Sequence, residues 1–340
     1  MSEHTAISWC DSTFNPWIGC TKVSPACDHC YAARQDAFRK WTPEGWGGPR
    51  RRTSAALWRQ PLLWEREHEA FMLAHGRRRR VFCASLADVF DNDVPPEWRA
   101  DLFALISQTP HLDWLLLTKR IGNAAQMMFL ARGGHLPLLP NIWLGATICN
   151  QEEADRDIPK LLAVPARVRF LSIEPMLGPI TLPGFNARTS WCPVCKTIVG
   201  DSLGLPHELQ HGVSPMAAFD PGKHCASVYD MLHWVICGGE SGPQARPMHP
   251  DWVRSLRDQC AAAGVPFHFK QWGEWTPGEN VERQRGTVDT AFLWDDGWHV
   301  YPLNLATDHG HIDDQPDLYR VGAKAAGRLL DGRTHDEFPT

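Results

Sequence analysis

No apolar run in this 340-residue chain reaches the ~20 residues that a membrane-spanning helix requires. The amino terminus, MSEHTAISW, has no basic stretch followed by the apolar core of a secretory leader. Global basicity is missing as well. With 34 Lys and Arg against 39 Asp and Glu, the formal net charge is −5 and the pI about 6.3, so no overall positive field advertises nucleic acid. These absences set the expectation of a cytoplasmic protein without a membrane partner. That compartment keeps thiols reduced, so the 11 cysteines argue for metal ligation rather than disulfides.

Three of those cysteines are close together, in GCTKVSPACDHCYA: Cys20, Cys27 and Cys30, spaced C-x6-C-x2-C with no fourth cysteine nearby. Three thiolates suit an iron-sulfur cubane in which one iron is left open for a small molecule, so the cluster can do chemistry. Zinc competes for the same set, because the Cys27-x2-Cys30 arm is typical of its chelating turns. Zinc would need a fourth ligand, which His29 is badly placed to give and a distant residue could supply. Both readings stay open on spacing alone.

The rest of the chain alternates short apolar runs with amphipathic stretches, and 43% hydrophobic content supports a sizeable core. The pattern predicts strands at Ala6–Cys10, Val81–Ser85, Trp114–Thr118, Ile142–Thr147, Val168–Ile173, Trp234–Cys237 and Pro266–Lys270. Helices are expected near Tyr31 and over Pro96–Gln108, Gln151–Leu162 and Pro250–Ala263. Such alternation gives an α/β fold with a parallel (β/α) barrel, complete or partial. The expected organisation is a barrel from 1–185 and 230–276, an insertion at 186–229, and a carboxyl-terminal extension at 277–340 with a helical pattern over Leu318–Leu330. Polar residues recur where the predicted strands end: Ser85 and Asp88, Thr118 to Arg120, Thr147 and Asn150, Glu174, Glu240 and Ser241, and Lys270 and Gln271. Recurrence of this kind is what lines a barrel mouth, where ligands collect.

Five stretches carry a resemblance: WCDSTFNPWIGCTKVSPACDHCYA, LLLTKR, FLSIEPMLGPI, WVICGGESGPQARPMHPDWVRSLRDQC and FKQWGEW, which together cover most of residues 6–275. In these the chain resembles the phage- and bacteria-associated three-cysteine-motif family of radical-SAM-like proteins. The first cysteine gap is three residues longer than the usual C-x3-C-x2-C, a difference that a loop absorbs at small entropic cost. The resemblance implies a TIM-like radical SAM barrel whose [4Fe-4S] cluster, held by Cys20, Cys27 and Cys30, cleaves S-adenosylmethionine to a 5'-deoxyadenosyl radical that abstracts hydrogen from a substrate. It further implies an electron donor and a separate three-cysteine-motif partner protein. Ser85 and Asp88 then stand where the methionine amine is met, although the usual Gly-Gly-Glu is absent there and occurs instead as Gly238-Gly239-Glu240. Thr147 and Asn150 become ribose contacts and Glu240 a further cofactor contact. Glu174, Lys119 and Lys270 become catalytic candidates, with an internal Glu174 pair to either lysine as the simpler role.

The insertion holds Cys192, Cys195, His207 and His211 in the spacing C-x2-C-x11-H-x3-H, with His224 or Cys225 as alternative ligands, and suits tetrahedral zinc. Arginine runs at Arg50–Arg52 and Arg77–Arg80 make a nucleic acid or nucleotide substrate admissible despite the acidic total. If both cysteine groups held zinc, the chain would instead be a non-catalytic, zinc-stabilised nucleic-acid-binding module.

Overall fold

The computed structural model describes residues 5–134, 139–182, 189–192, 197–200, 226–227, 232–281, 286–304 and 318–339. Seven parallel strands form the central sheet in chain order. They are Ser12–Phe14, Arg79–Cys83, Leu112–Thr118, Ile142–Thr147, Val168–Ile173, Trp234–Gly238 and Phe267–Gln271, called the first to seventh strands below. Each pairs with the next in parallel register, which is the winding of a half-barrel. No helix among the described residues is long and apolar enough to cross a membrane.

Side-chain alternation sorts the strands onto two faces. Val81, Cys83, Trp114, Leu116, Ile142, Leu144, Leu171, Val235 and Phe269 share one cluster with residues of the helices, among them Leu102, Ile106, Ile158, Leu161, Val253 and Leu256. The intervening residues Phe82, Leu115, Trp143, Phe170, Trp234 and Ile236 form a second cluster on the concave side. Each fully buried aromatic there is worth about 2–3 kcal/mol of transfer free energy.

The sequence expectation fails at the first strand. Residues Ala6–Cys10 form no strand, and pairing falls to Ser12–Phe14. Ile7 and Trp9 instead join the concave cluster, with the Trp9 ring 4.5 Å from Phe82 and 6.5 Å from Trp234. The carboxyl-terminal tail contributes to the same interior. Phe338 lies 5.0 Å from the Trp234 ring, and Trp234 Nε1 donates to the Glu337 carbonyl at 2.8 Å. Phe269 donates its N–H to the His335 carbonyl and Phe267 donates to the Glu337 carboxylate, both at 2.9 Å. The tail thereby runs along the seventh strand and satisfies donors on its outer edge.

Leu318–Leu330 is not one helix. Leu318–Arg320 is a strand in an antiparallel four-stranded sheet with Trp275–Pro277, Thr287–Trp294 and Gly297–Asn304, and only Ala323–Ala326 is helical. Between the fifth and sixth strands, Thr189–Cys192, Thr197–Gly200 and Ala226–Ser227 form a small antiparallel sheet.

His268, on the seventh strand, is fully buried and bonded at 2.8 Å to Ser8 Oγ. Burial first, and then the nearby Arg328 charge, depress its pKa to about 4; Asp336 opposes them and Lys270 and Arg80 add to them. A histidine depressed on folding contributes stability fully above its unfolded value of about 6.5, and this is lost as pH falls from there through about 4. The expected contribution is roughly 2–3 kcal/mol. His268→Gln should therefore lose less stability than wild type between pH 7 and 4.5 in urea unfolding, and parallel losses would exclude His268 as the source.

Candidate functional site

Local turn chemistry presents the three cysteines. Ser24 caps the short 3-10 turn Pro25–Cys27 by accepting from the Ala26 N–H at 3.1 Å, and Cys30 immediately precedes the helix Tyr31–Arg39. Cys27 is buried, and Cys20 and Cys30 are half-buried. All three line one cavity of about 370 Å³ at the carboxyl ends of the strands. Ser85, Asp88, Thr118, Lys119, Arg120, Thr147, Ser172, Glu174, Glu240, Lys270 and Gln271 line it too, while Trp9, Phe82 and Leu117 make its apolar floor. Residues from six of the seven parallel strands or the loops after them therefore meet the cysteine loop in one place.

Two braces hold that loop. The first centres on Asp88. Its Oδ1 accepts from Phe90 N at 2.9 Å and Thr118 Oγ1 at 2.7 Å, and its Oδ2 from Lys119 N at 3.1 Å and Arg120 Nη1 at 3.2 Å. Arg120 then reaches Cys20 Sγ at 3.3 Å and the Thr21 carbonyl at 2.7 Å. Burial and the Asp88 charge push the Cys20 thiol up to about 11, with Arg120 acting the other way. The second brace centres on Glu240, which accepts from Arg246 N at 2.8 Å, Arg246 Nε at 2.9 Å and Arg246 Nη2 at 2.6 Å, and pairs with His29 Nδ1 at 2.9 Å. Arg246 continues to the Pro25 carbonyl at 3.0 Å and Asp28 at 3.3 Å. Burial works to raise the Glu240 pKa, but the bonds from Arg246 and His29 win, and the carboxyl sits below its ordinary value.

A profile of proteins of unknown function, DUF5131, matches residues 4–339. The chain belongs to that family. No curated protein and no solved structure matches it.

Several expected roles change in this DUF5131 chain. Asn150 does not line the cavity; its side chain caps the helix Gln151–Ala163 by accepting from Glu153 N at 2.9 Å. Asp88 and Glu240 border the cavity, and each carboxylate takes four bonds within the chain, Asp88 from four residues and Glu240 from Arg246 and His29, so both brace the cysteine loop. Glu174 pairs with Lys270 at 3.0 Å, the simpler of its two expected roles. Ser85 Oγ is bonded by Asn15 Nδ2 at 3.0 Å. Thr147 is buried at the cavity wall, and Lys119 is half-buried there.

Most arginines of the two runs have partners within the chain, while Arg51 is exposed. Arg77 makes a two-pronged pair with Asp11 at 2.6 and 2.8 Å, and Arg79 is buried over the Phe71 ring at 4.4 Å. Arg80 is buried with its guanidinium 3.8 Å from the Phe338 ring centre. Arg50 is buried against Asp91 at 2.7 Å and Asp93 at 2.8 Å, and Arg52 meets Asp101 at 2.6 Å. Of the expected zinc ligands, Cys195, His207, His211, His224 and Cys225 lie outside the described residues, and Cys192 is the last residue of a strand. Arg246 was not among the sequence candidates; nothing in GPQARPMHP marks it as the partner of a carboxylate six residues earlier.

Proposed function

We propose that this chain is a radical-SAM-like enzyme of the cytoplasm, with Cys20, Cys27 and Cys30 as ligands of a [4Fe-4S] cluster. The observation that carries the reading is the convergence of these three thiols on a cavity of about 370 Å³ ringed by polar strand ends. The donor set fits a cluster better than a single zinc ion. Among the described residues, only Glu65, His68 and His111 bring three such ligand atoms all within 4.8 Å of one another, so the cysteine sulfurs are spread wider than that. One zinc ion, at about 2.3 Å from each sulfur, would need them within about 4 Å.

The bound cluster would supply one-electron cleavage of S-adenosylmethionine, and an electron donor would serve it. The chain's own residues do the positioning. Arg120 and Asp88 fix the Cys20 side of the loop, and Glu240 and Arg246 fix residues 25–29. Thr147 and Ser172 offer hydroxyls to a cofactor, and Lys119 and the Lys270–Glu174 pair offer charge to the polar ends of cofactor or substrate. Trp9, Phe82 and Leu117 keep water from entering through the floor. A nucleotide or nucleic acid as substrate would be recognised at its reacting end by these cavity residues. A three-cysteine-motif partner protein would present or share that substrate, and zinc in the insertion completes the proposal.

The test is the iron, sulfide and zinc content of anaerobically purified protein, with visible spectra before and after S-adenosylmethionine, on wild type and Cys27→Ala. About four irons per chain, lost in the variant and spectrally perturbed by the cofactor, is the expected result. Zinc alone after anaerobic reconstitution would overturn it and favour the zinc-stabilised nucleic-acid-binding module.

A further inference from the structure

The chain is acidic as a whole, yet residues 31–52 hold six cations and only two carboxylates. One of the two, Asp36, is buried and accepts from the Thr42 N–H at 2.8 Å. Of the six cations, Arg50 and Arg52 are taken up by Asp91, Asp93 and Asp101. Arg34, Arg39, Lys40 and Arg51 are exposed, and none of them forms an ion pair among the described residues. Four unopposed cations leave a local positive field for an external anion.

Placement ties that field to the cavity. The helix Tyr31–Arg39 starts at the cavity rim, directly after Cys30, and buries Ala32 and Asp36. Tyr31, Arg34 and Phe38 recur at the i, i+3, i+7 spacing of one helical face, turned away from the buried pair. Tyr31 lines the cavity. Arg34 lies on Gly242, where a Cβ would stand 1.7 Å from its Nη1, one residue beyond the cavity residue Ser241. Phe38 ends the stripe at 86% exposure, an aromatic surface that the core does not use. At the end of the helix the Arg39 guanidinium stands 5.5 Å from the Trp41 ring centre. Arg51 joins the same border through the sheet that pairs it with Ile18, which shares a buried cluster with Ala32 of the helix.

From this arrangement we infer that the face carrying Tyr31, Arg34 and Phe38, bordered by Arg39, Lys40 and Arg51, binds single-stranded nucleic acid and leads it to the cavity. Cations along an aromatic stripe fit a strand whose phosphates meet the basic groups while an unpaired base stacks on Phe38. A duplex fits less well, because its bases are stacked on one another and cannot cover that ring. An acidic protein segment would meet the charges and leave the ring without a stacking partner. Delivery of the strand as substrate rests on the proposed radical chemistry, whereas binding itself does not need the cluster.

The test is fluorescence anisotropy of a labelled 15-residue oligothymidylate titrated with the full chain between 50 and 200 mM salt. It would be run on wild type, Arg34→Ala/Arg51→Ala, Phe38→Ala and the control Arg66→Ala, whose neighbour Glu65 bonds His111 at the amino end of the third strand, opposite the cavity. Wild type should bind the strand at least about fivefold more tightly than the same strand annealed to oligoadenylate. The double arginine variant should bind at least about tenfold more weakly at 50 mM salt, with a salt slope smaller by about 1.4, or about 0.7 for each phosphate contact. Phe38→Ala should bind at least about fivefold more weakly with its slope unchanged, the mark of lost stacking and not of lost charge. Arg66→Ala should match wild type. Circular dichroism identifies a variant that fails to fold, and the other then carries the comparison. Iron measured on the same samples reports separately on the cluster: strand binding without iron sinks the cluster reading alone, and iron without strand binding sinks the strand site alone. Wild-type affinity in both folded variants, or a duplex bound as tightly as the strand, would overturn the site. Displacement of the strand by an oligoglutamate of equal charge, as effective as by unlabelled strand, would overturn it too and give the face to an acidic protein partner.

Discussion

Gly239→Ala is expected to destabilise the chain by about 3 kcal/mol or more, enough to leave little folded protein. A Cβ on residue 239 would stand 1.8 Å from the Trp272 carbonyl oxygen and 2.7 Å from its carbon, and both obstacles are backbone. The facing residue is Gly273, at φ +86, where a Cβ would stand 2.1 Å from the Glu240 carbonyl oxygen. Neither strand end can retreat, because hydrogen bonds stitch the two together. Gly239 N donates to the Gln271 carbonyl at 2.9 Å, and Glu274 N to the Glu240 carbonyl at 3.0 Å. Gly238→Ala is the control, since its Cβ would meet Glu174 Oε1 at 2.8 Å and that side chain can rotate away. It should cost less than about 1.5 kcal/mol while disturbing the Glu174–Lys270 pair. Urea midpoints of the two variants check the contrast, and a Gly239→Ala midpoint near that of wild type would show that the loops can part.

The Gly-Gly-Glu run also shows what could be read from sequence and what could not. Its letters suggest a ligand motif, whereas each residue answers a packing demand of its own: room for Glu174, room for the crossing backbone, and a carboxylate for Arg246. Such demands come from the approach of distant segments, which no local spacing encodes. The Arg77–Arg80 run misleads in the same way, because a count of charges does not show that Arg79 and Arg80 are buried.

Strand positions were more legible because buried parallel strands are apolar throughout. Ile142–Thr147 and Val168–Ile173 have the bounds that the apolar runs predict, and the helix Pro250–Ala263 also does, with Gly264 at φ +67 after it. The first strand escaped because Ser12-Thr13-Phe14 is short and two-thirds polar, while the more apolar Ala6–Cys10 supplies core residues without pairing. The hairpin Thr287–Trp294 with Gly297–Asn304 did carry a signal, the Asp295-Asp296 loop followed by Gly297 at the head of the second strand. Over Leu318–Leu330 the helical spacing loses to Gly322 and Gly327, both at positive φ, and to the pairing of Leu318 with Pro277.

Arg246→Ala should reduce the iron retained by anaerobically purified protein at least about fivefold, with the far-ultraviolet spectrum unchanged. The expectation rests on the cluster proposal and on geometry. Glu240 is 7% exposed and takes three of its four bonds from Arg246, which alone connects it to the Pro25 carbonyl and Asp28. Without the guanidinium, Glu240 becomes a buried carboxylate with only His29, and that single contact is left to tie the turn carrying Cys27 to the end of the sixth strand. Arg246→Lys should recover part of the iron, because an ammonium restores charge but not the two-pronged grip. Because folding lowers the Glu240 pKa, the stability that its bonds add is present at neutral pH and disappears only as pH falls below the ordinary carboxylate range. Iron retention in wild type should accordingly stay flat from pH 8 to 6, while that of Glu240→Gln is reduced throughout. Full iron and a normal response to S-adenosylmethionine in Arg246→Ala would show that the cysteine loop holds its shape through Ser24, the His29–Glu240 contact and the Asp88–Arg120 side without Arg246.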